Sequence, residues 1–456
     1  MGEVAKDMST LISSTRRKVV VGLGVTGLSV ARYLARQGEE FTVVDTREHP
    51  PGLEALRSEM PEVPVMLGTD AQDVLDTAAQ LIVSPGISPQ EPWLQRAVSA
   101  GAKLCGDIDL FVAAAAAPVI GITGSNAKST VTEMLGAMVQ AAGRRTAVGG
   151  NLGVPALDLL DDQTEFYVLE LSSFQLERAG PLNLEVATVL NLTPDHLDRH
   201  GSMPLYHQAK HRIFNGCRAV VFNVDDPLTI PPLAAGRRQV SWRMGEPELT
   251  GFGLRLVDGE QMIVEGFEPL MRADEVSLPG RHNLANALAA LALGAAIDLP
   301  RDAMLSVLRS FKGLEHRCEL VLEREGVRWI NDSKATNVGA ALAAINGLGA
   351  EHRLILIAGG RDKGADFRSL APAVAAHCEV VLLIGEAADG IATALGASCD
   401  TVIAETLEHA VELAAARARS GDIVLLSPAC ASFDQFASYT HRGERFKQLV
   451  LAQVEP

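Results

Sequence analysis

Short apolar runs recur along the chain, each ending near Gly, Ser, Asp or Asn, and stretches with helical spacing separate them. They fall at 18–21, 41–45, 81–83, 118–122, 166–170, 186–190 and 219–223, then at 353–358, 380–384 and 423–426. Strands buried on both faces read as near-continuous apolar runs, so this alternation predicts βαβ units and parallel sheets. The stretch 249–264 alternates instead, as antiparallel strands do. The pattern shifts near Gly106 and Gly313, which gives an α/β chain of three domains: 1–106, 107–313 and 314–456. A length of 456 residues accommodates three domains, each with its own core.

The loop after the run 118–122 carries the first chemistry. Thr123-Gly124-Ser125-Asn126-Ala127-Lys128-Ser129-Thr130 places small residues between a strand and a helix start, where backbone N–H groups and the helix dipole hold a phosphate. Lys128 would lie along the β- and γ-phosphates, and the Ser129 hydroxyl would take Mg²⁺. A strict phosphate loop has Gly directly before the Lys and another five residues earlier, where this chain has Ala127 and Ile122. Ala127 still permits close approach if its φ is negative. The run 166–170 ends on Glu170, the position from which many phosphate-loop proteins help hold Mg²⁺. Asp195 and His196, after the run 186–190, can serve a divalent cation or a phosphate. Lys210 lies in a helical stretch, where a lysine ordinarily lines a solvated face, and Asn283 and Asn286 share a helix face that could read a purine edge.

The first domain opens with Gly22-Leu-Gly-Val-Thr-Gly27 after a strand and reaches Asp45 at the end of the next, a dinucleotide-type start that suits any phosphorylated nucleotide. Ser84-Pro85-Gly86 makes a rigid turn at the same sheet edge. An NAD(P)-dependent oxidoreductase would use this first loop but leaves the second unexplained. A nucleotide-binding switch would need a guanine reader, which Asn191 to Asp195 does not supply.

Composition narrows the picture. A net charge of −16 excludes nucleic-acid binding through a general basic surface, so an anionic ligand must be held locally. Six cysteines without a C-x-x-C pair argue against zinc and for a reducing compartment. No apolar run reaches the roughly 18 residues of a spanning helix, so membrane insertion is not expected and a cytoplasmic location is.

Six motifs in order carry a resemblance. Ile122-Thr-Gly-Ser-Asn-Ala-Lys-Ser-Thr130, Leu169-Glu-Leu-Ser-Ser173, Thr193-Pro-Asp-His196, Gly280-Arg-His-Asn-Leu-Ala-Asn286, Asn331-Asp-Ser-Lys-Ala-Thr-Asn337 and Ser427-Pro-Ala-Cys-Ala-Ser432 resemble the Mur ligases, which add amino acids to the peptidoglycan precursor. The resemblance implies a Rossmann-like N-terminal domain, a central phosphate-loop (P-loop) ATPase domain and a Rossmann-like C-terminal domain. It implies ATP-dependent addition of D-glutamate to UDP-N-acetylmuramoyl-L-alanine through an acyl phosphate; a folylpolyglutamate-type or another Mur ligase is the sister reading.

The cofactors implied are ATP and two Mg²⁺, one held by Ser129 and Glu170, the other by His196 and by Lys210 carrying a CO₂-derived carbamate. Val25, Thr26, Asp45, Thr46, Arg47, Ser84, Pro85 and Gly86 would bind the uridine diphosphate part, with Asn151 and His196 near the muramoyl-alanine end. Asn283, Asn286, Arg317 and Asp332 would hold adenosine, although His316 beside Arg317 could face the nucleotide instead. Thr336, Lys363, Ser432 and Phe433 would hold D-glutamate. The working unit expected is a monomer.

Overall fold

The computed structural model describes residues 18–68, 72–151, 153–231, 236–350, 352–362 and 364–452. The first sheet contains β1 (Lys18–Val21), β2 (Phe41–Asp45), β3 (Val65–Leu67), β4 (Gln80–Val83) and β5 (Lys103–Cys105), all parallel, in the order β3-β2-β1-β4-β5. Because β1 lies between β2 and β4, the carboxyl ends of these strands border the crevice where open α/β sheets bind ligands. The helix after β1 begins at Val25, so Gly27 falls in its first turn. A Cβ there would lie 1.8 Å from the Gly22 carbonyl oxygen, which explains the glycine.

The second sheet has nine strands: β6 (Val119–Thr123), β7 (Thr146–Gly150), β8 (Phe166–Glu170), β9 (Val186–Val189), β10 (Ala219–Asn223), β11 (Arg238–Trp242), β12 (Phe252–Val257), β13 (Glu260–Glu265) and β14 (Glu268–Arg272). Their order is β14-β13-β12-β11-β10-β9-β6-β8-β7. Pairs from β7 across to β12 are parallel, and β12-β13-β14 is an antiparallel extension that completes the stretch expected to alternate. One face is covered by the helices Lys128–Ala141 and Arg281–Ala296, whose Leu135, Met138, Leu288 and Leu291 pack with Ile120 and Val168. On the other face Tyr167 and Leu169 share one apolar core with Val20 and Ile82 of the first sheet and Leu34 of the helix Val25–Arg36.

The third sheet, β15 (Glu319–Arg324), β16 (Val327–Asn331), β17 (Leu354–Gly359), β18 (Cys378–Ile384), β19 (Asp400–Glu405) and β20 (Ile423–Leu426), has the order β15-β16-β20-β17-β18-β19. Only the β15-β16 hairpin is antiparallel. Among the described residues no helix is long and apolar enough to cross a membrane.

Candidate active site

β6 lies between β8 and β9, so the phosphate loop, Glu170 at the end of β8 and Asn191 after β9 meet at one sheet edge. Backbone contacts to the segment after β9 shape the loop. The Ser125 N–H donates to the Asn191 carbonyl (3.0 Å), the Asn126 N–H to Asn191 Oδ1 (2.8 Å), and Asn191 Nδ2 back to the Asn126 carbonyl (3.1 Å). Ser125 Oγ accepts from the Thr193 N–H (3.0 Å). Ala127 caps the following helix with φ +67°, so the negative φ expected there is not what the loop adopts. The turn is of the kind that a glycine enters without strain, and it keeps the loop open for an anion although the residue is alanine.

Lys128 folds back so that its ammonium donates to the Ser125 carbonyl at 3.0 Å. Burial lowers its pKa, while Glu170 works in the opposite direction. Ser129 Oγ hydrogen-bonds Glu170 Oε2 and accepts from Arg317 Nη2 at 2.6 Å. Asn151 Nδ2 donates to Glu170 Oε1 at 2.7 Å. Burial opposes ionisation of Glu170, but Lys128, Ser129, Asn151 and Arg317 outweigh it and hold the carboxyl below its ordinary range. A hydroxyl and an ionised carboxylate in contact are hard oxygen donors of the kind Mg²⁺ takes.

Lys210 does not line a solvated face. It is 2% exposed, and its ammonium donates to the Gly124 carbonyl (2.8 Å) and to Thr123 Oγ1 (3.3 Å) beneath the loop, 4.9 Å from the Tyr206 ring centre. Burial, then the neighbouring Lys128, push its pKa well below that of an ordinary lysine. His196 stands at φ +53° with its ring edge-on to Phe174.

The cleft beside the loop encloses about 410 Å³ and lies between the second and third sheets. It is walled by Ser125, Asn126, Ala127, Lys128, Thr130, Asn151, Glu170, Asp195 and His196 on one side, by Asn283 and Asn286 on the helix Arg281–Ala296, and by Arg317, Asp332, Lys334, Thr336 and Asn337 from the third domain. Gly124, Ser129 and Lys210 lie behind this wall. Asn286 Nδ2 donates to Asn283 Oδ1 (3.1 Å), and Asn283 Nδ2 to the Pro279 carbonyl (2.8 Å). Of the neighbouring pair, Arg317 faces the loop, whereas His316 turns inward to accept from Asn331 Nδ2 at 2.9 Å. Asp332 accepts from Ser427 Oγ at 2.8 Å, and burial pushes its pKa up to about 7.

The first domain's residues form a separate group at the edge of their own sheet. Asp45 is engaged on both oxygens: Oδ2 accepts from the Leu23 N–H (2.6 Å) and Arg47 Nη2 (2.7 Å), and Oδ1 from Arg47 Nε (2.9 Å). Val25, Thr46 and Arg47 are exposed, Thr26 is half-buried, and Ser84 Oγ donates to the Gly22 carbonyl at 2.9 Å, with Pro85 and Gly86 continuing the turn. In the third domain Ser432 is buried and Phe433 is 63% exposed; neither walls the cleft. Lys363 lies outside the described residues. Sequence reasoning did not single out Asn191, Tyr206, Lys334 or Asn337 as site residues. Lys334, whose ammonium lies 3.8 Å from the Tyr439 ring centre, and Asn337, which donates to Asp195 Oδ2 at 3.0 Å, both sit in the polar run after β16.

Three family models match in succession: Mur ligase MurD-like, N-terminal domain, over 16–106; Mur ligase middle domain, over 122–294; and Mur ligase, glutamate ligase domain, over 316–430. Proteins named UDP-N-acetylmuramoylalanine--D-glutamate ligase from Pseudomonas aeruginosa and Marinobacter nauticus are 53% and 50% identical to this chain, each match covering 97% of it and 99% of the relative. Among solved structures, a UDP-N-acetylmuramate-alanine ligase from Thermotoga maritima superimposes with a TM-score of 0.60 at 17% identity, over 96% of this chain and 99% of that one. A MurF ligase from the same organism, in complex with ADP, gives 0.60 at 18% identity over the same shares. Those two structures share the three-domain α/β fold, and together with the family models and the near relatives they lead to one conclusion: this chain belongs to the Mur ligase family.

Proposed function

We infer that this chain joins D-glutamate to UDP-N-acetylmuramoyl-L-alanine at the expense of ATP, a step in making the peptidoglycan precursor. The observation that carries the reading is the meeting in one cleft of a phosphate loop and Glu170 with Asp332, Lys334 and Thr336 from the domain matched as a glutamate ligase domain. Relatives at 50–53% identity over nearly the whole chain bear the corresponding name.

In the reaction a carboxylate oxygen of the muramoyl-alanine attacks the γ-phosphorus of ATP, and ADP leaves with the electrons of the broken P–O bond. The D-glutamate amine then attacks the acyl carbon, and the tetrahedral intermediate collapses by expelling phosphate. Phosphoryl transfer asks for position and charge neutralisation rather than covalent help. Lys128 and the loop N–H groups supply both at the phosphates. Ser129 and Glu170 would hold one Mg²⁺, and His196 with a carbamylated Lys210 a second. The ions would neutralise charge between two anionic reactants. A lysine whose pKa is pushed down carries the neutral amine that CO₂ requires, which supports the carbamate.

Asn283, Asn286, Arg317 and Asp332 would hold adenosine, Thr336 and Lys334 the incoming amino acid, and the first domain's glycine turn, Asp45 to Arg47 and Ser84 to Gly86 the uridine diphosphate. The proposal takes a monomer as the working unit and, because the substrates are nucleotides, the cytoplasm as its location. The test is phosphate release from ATP that requires both UDP-N-acetylmuramoyl-L-alanine and D-glutamate; release indifferent to either substrate would overturn the reading. Lys210→Ala should lose activity and regain part of it with a short carboxylate such as formate. Full activity in that variant would exclude the carbamate.

A further inference from the structure

The turn after β4 is gripped from the neighbouring domain. Arg178, whose side chain is fully buried, donates through Nη1 to the carbonyls of Val83 (2.9 Å) and Ser84 (2.7 Å) and through Nη2 to those of Pro85 (3.1 Å) and Ile87 (2.8 Å). Arg199 reaches the same turn, donating to Gly86 (3.3 Å), Pro85 (3.4 Å) and Ile87 (2.8 Å). All five consecutive carbonyls from Val83 to Ile87 are therefore taken by two guanidiniums. Glu177 Oε1 lies between the two, 3.3 Å from Arg178 and 2.5 Å from Arg199, which leaves the unit with one net positive charge on a row of carbonyl dipoles.

Both arginines come from segments that carry the candidate metal ligands. Arg178 follows Glu170 by eight residues and donates through Nε to the Phe174 carbonyl at 3.0 Å. Arg199 follows His196 by three and stacks 5.0 Å over the Phe174 ring, which also meets His196 at 4.9 Å and His200 at 5.6 Å between centroids. A continuous line of contacts thus runs from His196 through Phe174 to the turn. On the turn's other side Ser84 Oγ meets the Gly22 carbonyl of the glycine loop. Hydrogen bonds from a charged donor are the strong ones, and a buried guanidinium with five carbonyl partners has little freedom to move.

We propose that Arg178 and Arg199, bridged by Glu177, are positioning residues that fix the Ser84–Gly86 turn, and with it the uridine diphosphate end of the substrate, relative to the catalytic loops. Neither arginine is among the residues that wall the nucleotide cleft. This inference rests on the function proposed above, so the experiment has one arm that needs no substrate.

Hydrogen exchange is measured on the full chain for wild type, Arg178→Lys, Arg178→Ala and Arg199→Ala. The amides of 84–88 should exchange faster in the variants, most in Arg178→Ala, while those of the phosphate loop keep wild-type rates. In the steady-state assay the KM for UDP-N-acetylmuramoyl-L-alanine should rise about tenfold in Arg178→Ala, the effect of losing one or two charge-assisted hydrogen bonds, and less in Arg178→Lys. The KM values for ATP and D-glutamate should stay within about twofold of wild type. If Arg178→Ala does not fold, Arg178→Lys and Arg199→Ala decide. Unchanged exchange at 84–88, or an equal rise in all three KM values, overturns the proposal. A wild-type chain that fails to turn over these substrates overturns the functional reading instead, and the exchange arm still decides the clamp.

Discussion

Ala127 holds a backbone conformation that costs an L-residue roughly 1–2 kcal/mol relative to glycine, against the roughly 0.4–1 kcal/mol by which alanine limits the unfolded chain. The first effect wins, so Ala127→Gly should stabilise the protein by about 0.5–1 kcal/mol, read as a rise in urea midpoint at constant slope. The sequence marks this position as one of two departures from a strict loop but carries no sign for φ, which depends on Asn191 and Thr193 gripping the loop from the segment after β9. Lys210 was illegible for a similar reason: helical spacing cannot tell a solvated lysine from one buried under Gly124. Asp332 offers a pH test. Burial raises its pKa from 3.8 to about 7. If the ionised form accepts from the nucleotide, the KM for ATP should fall as pH rises through about 7, and Asp332→Asn should give a higher and flatter profile.

The strands were the most legible elements, because buried parallel strands are written as unbroken apolar runs: β1, β2, β8 and β10 coincide with the runs read for them. The edge elements were less so. β14 and β15 carry charged residues and half-exposed faces, and their pairing depends on neighbours rather than on their own pattern. The helix Val338–Gly349 shows what an element adds beyond its spacing. It approaches the central domain at two glycines: a Cβ at Gly339 would meet Thr193 Oγ1 at 2.8 Å, and one at Gly347 would meet His282 Nδ1 at 2.4 Å. Gly347→Val should therefore push the third domain off the cleft and raise the Kd for ATP several-fold, measured by calorimetry.

His282 titrates at the same contact. Burial lowers its pKa from 6.5 to about 4, so below pH 6.5 the unfolded chain takes up a proton that the folded chain refuses. The stability is present above pH 6.5 and is lost as pH falls towards 4, by at most about 3 kcal/mol. His282→Gln should flatten Tm over that window.

At the scale of the molecule the two domain junctions differ in kind. The first and second domains share one apolar core and the arginine clamp. Between the second and third, side-chain hydrogen bonds among the described residues run from Arg317 to Ser129 and from Asn337 to Asp195 and Asn126. Asn337→Ala, which removes two of these bonds, should therefore increase the radius of gyration in solution scattering without lowering the Tm of the first two domains. The clamp was not readable beforehand, since Arg178 and its carbonyl partners in the turn are more than ninety positions apart and no local pattern links them.

The Arg317–Ser129 contact also bears on how the site is filled. Ser129 Oγ already has an acceptor in Glu170 and a donor in a guanidinium from the opposite domain, so the chain brings its own cation to the place where Mg²⁺ would sit. Loading Mg²⁺ there would then be an exchange of an internal counter-ion for an external one. Arg317→Gln should tighten the binding of Mg²⁺ alone and weaken the binding of ATP, two shifts of opposite sign from a single substitution. In the intact chain the same exchange would part Arg317 from Ser129, one of the hydrogen bonds that join the third domain to the second.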